Sequence, residues 1–169
     1  MVNYLKRTWA EINLDALEHN YRQIRDLLKP GTRMMCVVKA DGYGHGAIPV
    51  AQQLSQLGAE WFGVSNLEEA LQLREGGIRQ PILILGYTPP SKAQVLAQNG
   101  ISQTVFSLEY AKALSLQAEE AQVTIKMHLK VDTGMSRIGF LYHDQRRNQS
   151  ALDEMMEASR LPALQPEGI

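Results

Sequence analysis

Trp61-Phe62-Gly63-Val64-Ser65, then Leu67–Glu75 at helical spacing, then Gly76-Gly77, then Pro81-Ile82-Leu83-Ile84-Leu85 is the stretch on which the fold turns. It reads strand, helix, glycine stop, strand. Two short apolar runs joined by a single helix form a βαβ unit, and the strands of such a unit are parallel.

The same pattern continues in both directions. Upstream, Met34–Val38 is a continuous apolar run, the mark of a strand buried on both faces, and a helix over Ala47–Leu57 ends at Gly58. Earlier still, Thr8–Leu14 alternates polar and apolar residues and reads as a short strand. Asp15 then caps a helix over Ala16–Leu28, with Leu17, Tyr21, Ile24 and Leu28 on one stripe and Pro30-Gly31 as its stop. Downstream, a helix over Ser91–Gln98 ends at Asn99-Gly100, a strand follows at Gln103–Phe106, and a helix over Leu108–Glu120 leads to a strand at Thr124–Val131. A last helix near Asp144–Ser159 precedes Pro162 and Glu167-Gly168-Ile169. Alternation at this spacing predicts an α/β protein with a parallel sheet. A doubly wound sheet and a (β/α)8 barrel both fit. Five barrel-type strands begin near Met34, Trp61, Pro81, Gln103 and Thr124, and a sixth is expected to begin where the chain stops. A barrel needs eight strands and about 250 residues. No linker or low-complexity stretch divides the chain.

Composition narrows the function classes. Seventeen basic against eighteen acidic residues leave a formal charge of −1, which provides no electrostatic footprint for nucleic acid. The pair Arg146-Arg147 reads as a solvated helix start. Met1–Trp9 lacks the apolar core of a secretory signal, and the runs Met34–Val38 and Ile82–Leu85 are far too short to span a bilayer. A single cysteine, Cys36, excludes an intramolecular disulfide and sits in an apolar run as an inert thiol. A cytoplasmic protein is the expectation.

The chemistry concentrates in Val37-Val38-Lys39-Ala40-Asp41-Gly42-Tyr43-Gly44-His45-Gly46. Lys39 ends a strand, at the edge where parallel α/β folds build their sites. Partial desolvation there keeps some amine neutral and able to form a Schiff base, whereas a lone strand-end lysine usually just reaches for water. Three alternating glycines allow backbone to pass close to a ligand, and Tyr43 and His45 would set polar tips beside it. Gly42–Ala47 also satisfies the G-x-G-x-x-G/A dinucleotide fingerprint. That fingerprint wants an acid at the end of the next strand, which reads Val64-Ser65-Asn66.

A second stretch runs Lys126-Met127-His128-Leu129-Lys130-Val131-Asp132-Thr133-Gly134-Met135-Ser136-Arg137-Ile138-Gly139. Alternation places Lys126, His128, Lys130 and Asp132 on one face, an expensive arrangement unless they are paired. For Lys126 and His128 a structural ion-pair cluster is as good an account as a functional one. Arg137 follows in a glycine-bearing loop at the same edge as Lys39, with a planar fork suited to a carboxylate or phenolate oxygen.

Val38–Gly46 resembles the pyridoxal-phosphate attachment motif of alanine racemases almost residue for residue, and Val131–Gly139 resembles that family's second motif. Trp9-Ala10-Glu11-Ile12-Asn13-Leu14, with Leu17, His19 and Asn20, is similar to its N-terminus. The resemblance covers essentially the whole chain, residues 1–169, and identifies it as the N-terminal portion of an alanine racemase barrel. It implies that the rest of the barrel and a β-rich C-terminal domain lie outside this sequence.

On that resemblance the activity is interconversion of L- and D-alanine, supplying D-alanine for peptidoglycan, by a homodimer that needs neither metal, nucleic acid nor membrane. Lys39 would carry pyridoxal 5'-phosphate and exchange the Cα proton on one face. Tyr43 would lie near the cofactor phosphate. Arg137 would lie near the phenolic oxygen and the substrate carboxylate, with Met135 beside the substrate. Lys130 matches a lysine that is carbamylated in some members and supports that arginine. A basic amino-acid decarboxylase is disfavoured by the Asp-Gly-Tyr-Gly-His-Gly tail after Ala40. A non-catalytic pyridoxal-phosphate-binding barrel and a racemase for serine or another amino acid are the alternatives. Racemisation needs a proton on each face, so the 169 residues alone are expected to be neither autonomous nor active.

Overall fold

The computed structural model describes residues 8–142 and 148–169. In chain order the elements are α1 (Leu14–Asp26), β1 (Met35–Val37), the short turn α2 (Lys39–Tyr43), α3 (Ala47–Gln56), β2 (Trp61–Val64), α4 (Leu67–Glu75) and β3 (Ile82–Ile84). A 3-10 turn at Pro90–Lys92 then leads into α5 (Ala93–Gln98), β4 (Ile101–Val105), α6 (Leu108–Glu120) and β5 (Ile125–Leu129). The chain continues through β6 (Val131–Asp132), β7 (Phe140–Leu141), α7 (Gln149–Ala158) and β8 (Leu164–Gly168).

Six strands form one sheet in the order β1-β2-β3-β4-β5-β8, every neighbouring pair parallel. The strands are laid down sequentially, without the reversal of order that a doubly wound sheet requires. The sheet therefore follows the strand order of a (β/α)8-type barrel. Residues on one face of the strands, among them Phe62, Val64, Ile82, Ile84, Val105, Ile125 and Met127, are fully buried and form one core with Ala51, Leu73, Leu96 and Leu114 of the helices. Each such large side chain contributes about 1.5–3 kcal/mol of transfer free energy. The other face is mixed: Met35, Trp61, His128 and Glu167 line a common depression there.

The expectation of five strands with a sixth cut off is corrected, because β8 is present and pairs with β5 from Ile125↔Leu164 to His128↔Gly168. Pro166 sits within it, which an edge strand tolerates. The strand expected at Thr8–Leu14 does not form. Its alternation has no partner to pair with, and Asn13, not Asp15, caps α1 through Ala16 N–H at 2.9 Å. The last helix starts at Gln149, capped by Asn148. Asp144 and the pair Arg146-Arg147 lie outside the described residues. Cys36 is half-buried, and burial, with Glu60 adding to it, pushes its thiol to about 11, so it is inert at neutral pH. Among the described residues no helix is long and apolar enough to cross a membrane.

Arg74 closes the N-terminal edge of the sheet. Its guanidinium donates to Asn99 O at 2.8 Å, Gly100 O at 3.0 Å, Ile78 O at 3.0 Å and Gln80 O at 2.8 Å, tying the turn after α4 to the turn after α5. A lysine ammonium donates from one point and cannot span four carbonyls set around a plane. Arg74→Lys is expected to lower stability by about 1–3 kcal/mol, measured by urea denaturation followed by circular dichroism.

Candidate active site

Lys39 leaves the C-terminal end of β1 directly into α2. That turn is left-handed: Ala40 (φ 50°), Asp41 (φ 53°) and Gly42 (φ 61°) all lie in the mirror-image helical region, followed by Tyr43 (φ 56°) and Gly44 (φ 82°). Non-glycine residues resist this conformation by roughly 1–2 kcal/mol each, so a run of them persists only when its surroundings over-determine it. Gly42 N–H donates to Val38 O at 2.9 Å, Gly46 N–H to Asp41 O at 2.8 Å, and the Asp41 carboxylate accepts Ala47 N–H at 2.7 Å at the start of α3. A side chain at position 42 would press on Ala47 N at 3.3 Å, and the φ of 61° favours glycine there. His45 folds its Nδ1 onto the Gly42 and Tyr43 carbonyls at 3.0 and 3.1 Å. Through Nδ1 it buttresses the turn, while the residue stays exposed. Tyr43 stays 58% exposed.

A carboxylate absent from the sequence reading completes this arrangement. Glu69 of α4 accepts Ala40 N–H at 2.9 Å on one oxygen and Ser65 N–H at 2.8 Å on the other. Burial opposes its charge. The Ser65 and Ala40 amides, the Ser65 hydroxyl and the positive charge of Lys39 outweigh that, and the carboxyl lies below its ordinary range. The spacing Asn66-x-x-Glu69 was the available signal, since Asn66 caps α4 by accepting Glu69 N–H at 2.9 Å.

At the end of β5 the chain forms a second ordered loop. Lys130 N–H donates to Val105 O and Lys130 O accepts Phe140 N–H, so the main chain of Lys130 is pinned on both sides while its side chain is half-buried. The Asp132 carboxylate accepts Gly134 N–H at 2.9 Å and Ser136 N–H at 3.0 Å, and these amides hold it below the ordinary carboxylate range. Gly139 (φ 137°) approaches the Asp132 and Lys130 backbone so closely that a Cβ would fall 2.8 Å from Asp132 N. Met135 and Arg137 project from this loop and are exposed.

Lys39 and Arg137 thus stand at one edge of the sheet. Their strands are separated by β2, β3 and β4, about 19 Å along the sheet at 4.8 Å per step. The expected single face of Lys126, His128, Lys130 and Asp132 is corrected, because β5 ends at Leu129 and Asp132 belongs to the small sheet β6–β7. Lys126 is paired with Glu167 at 3.0 Å, which also accepts from Ser102 Oγ at 2.8 Å, and His128 packs edge-on to Trp61. A separate cavity of about 440 Å³ lies between α1 and the Lys39 turn, with Asn13, Leu17, Val38, Tyr43 and His45 in its walls. Lys39 is not part of that wall.

Comparison with known proteins settles the kinship. The family model described as alanine racemase, N-terminal domain, matches residues 12–169. The chain belongs to the alanine racemase family. The alanine racemase of Desulfovibrio desulfuricans is 54% identical over 139 residues, 82% of this chain and 38% of that protein. That of Clostridium novyi is 43% identical over 169 residues, 100% of this chain and 42% of that protein. The solved alanine racemase of Clostridium difficile 630 in complex with cycloserine superposes with a TM-score of 0.88 at 37% identity, over 98% of this chain and 44% of that one. The chain therefore spans about two fifths of the length of the alanine racemases it matches.

Glu69 and Asp132 both titrate lower in the folded chain than in the unfolded one. Their contribution to stability is complete above the unfolded carboxyl range and is lost as pH falls through the lowered folded values. Urea midpoints are expected to hold from neutrality down to about pH 5 and to fall below about pH 4, more shallowly in Asp132→Asn and Glu69→Gln.

Proposed function

We propose that this segment carries the cofactor lysine of a pyridoxal-phosphate-dependent alanine racemase, acting in the cytoplasm as a homodimer and supplying D-alanine for peptidoglycan. The observation that carries the reading is the presentation of Lys39: a primary amine at the C-terminal edge of a parallel sheet, on a turn held left-handed by hydrogen bonds on both sides. The donor set at that edge fits the cofactor's chemistry. An amine suits its aldehyde, and the phenol of Tyr43 and the guanidinium of Arg137 suit its anionic oxygens.

When bound, pyridoxal phosphate supplies the electron sink that makes the substrate Cα–H acidic. The protein's own residues do the rest. Lys39 Nζ would hold the cofactor and would move a proton at one face of the substrate Cα. Arg137 would draw in and orient the substrate carboxylate, and Met135 would offer an apolar contact to the rest of the substrate. Lys130, at the foot of the same loop, would support Arg137 in a carbamylated form, whose negative charge faces the guanidinium. Tyr43 binds near the phosphate. The Asp132 carboxylate fixes the backbone at Gly134 and Ser136, next to Arg137, which narrows the range of positions its side chain would have to search.

In the whole protein, incubation with pyridoxal phosphate, borohydride reduction and peptide mapping are expected to place the label on Lys39. Label on Lys130 or Lys126 instead would overturn the assignment. In the whole protein, Arg137→Lys is expected to lower kcat/KM for alanine by about 10–100-fold with little change in melting temperature, because the charge stays and the two-pronged contact goes. An unchanged kcat/KM would make Arg137 a loop residue only.

A further inference from the structure

Where β1 and β2 end, the ladder between them fails in a defined way. Trp61 N–H donates to Met34 O and Val38 N–H to Gly63 O, so the next rungs would join Ser65 N–H to Val38 O and Ala40 N–H to Ser65 O. Neither rung forms. Val38 O is taken by Gly42 N–H as the chain swings into the left-handed turn, and both freed amides are received by the carboxylate of Glu69. An ordinary capping box would send a Glu at this position back to the amide of its own cap, Asn66. Glu69 reaches past it to Ser65 and across to the neighbouring strand.

The consequence falls on Lys39. The amide before its peptide unit is fixed by Gly63 O and the amide after it by Glu69, so the Cα–Cβ direction of Lys39 is fixed from both sides. The same carboxylate lies within electrostatic reach of the Lys39 charge. We propose that Glu69 is a positioning residue for Lys39: its carboxylate replaces the missing rungs between β1 and β2 and sets the direction from which the lysine amine meets a cofactor aldehyde. The proposal rests on the cofactor reading above and adds to it a residue from the neighbouring βα unit. Glutamine is the discriminating substitution, because one of its two ends is a donor and cannot face a backbone N–H.

The test measures Lys39 against an internal reference. The whole protein and its Glu69→Gln, Glu69→Asp and neighbouring control Glu68→Gln variants are treated with pyridoxal phosphate, reduced with borohydride and mapped, and the Lys39-to-Lys92 labelling ratio is read within each sample. A variant that merely loosens the fold changes overall labelling and leaves no preferred lysine. Circular dichroism identifies it, and Glu69→Asp, with the charge kept and the reach shortened, then serves in its place. The ratio is expected to fall about tenfold or more in Glu69→Gln, to fall less in Glu69→Asp and to hold in Glu68→Gln. A wild-type ratio retained in folded Glu69→Gln overturns the proposal. Should the unsubstituted whole protein show no preference for Lys39, the cofactor reading fails, and amide hydrogen exchange decides the positioning role. Faster exchange at Ala40 and Ser65 in Glu69→Gln supports it, and unchanged exchange overturns it.

Discussion

A parallel sheet satisfies its backbone only as long as its strands run side by side, and here all six reach their ends along one edge. Beyond that line each strand must bend away, and amides that had carbonyl partners lose them. Leaving such donors bare in a half-buried place is costly. Three carboxylates take them up: Glu69 at the end of β1 and β2, Asp41 between the left-handed turn and α3, and Asp132 under the loop after β5. The loops that carry Lys39, Tyr43, Met135 and Arg137 are shaped by these anion–amide contacts and owe little to apolar packing.

This divides the labour of the molecule. Stability resides on the helix-facing side of the sheet, where Phe62, Ile84, Leu73 and Met127 are sealed from water. The chemically useful edge is built from strained backbone whose cost is met locally by charged hydrogen bonds. On the opposite sheet face an exposed Lys126 pairs across β5 and β8 with the more buried Glu167. Substitutions at the edge can therefore alter the site while leaving the apolar core in place.

The fold was legible because apolar runs, glycine stops and helix spacing are local signals that tertiary context reinforced. Sequential strand order was not among them, and only the pairing separates a barrel from a doubly wound sheet. The sixth strand starts earlier than its sequence suggests, because Leu164-Gln165-Pro166-Glu167-Gly168 carries a proline and a charge, acceptable at the place where β5 offers a partner. Thr8–Leu14 misled for the opposite reason, alternation without a partner. At the site, Lys39 and Arg137 stood out by residue type. Glu69 did not, since its role depends on two amides, one of them 29 residues away, that become free only once the strands have paired. The handedness of Ala40 and Asp41 leaves no trace in their identity.

That handedness has a stereochemical consequence. Ala40, at φ 50° and ψ 51°, occupies the mirror image of ordinary helical backbone, the region a residue of the D series enters without penalty. A chain assembled by chemical ligation with D-alanine at position 40 would relieve the strain that the natural L residue bears there, leaving the amide that Glu69 accepts where it is.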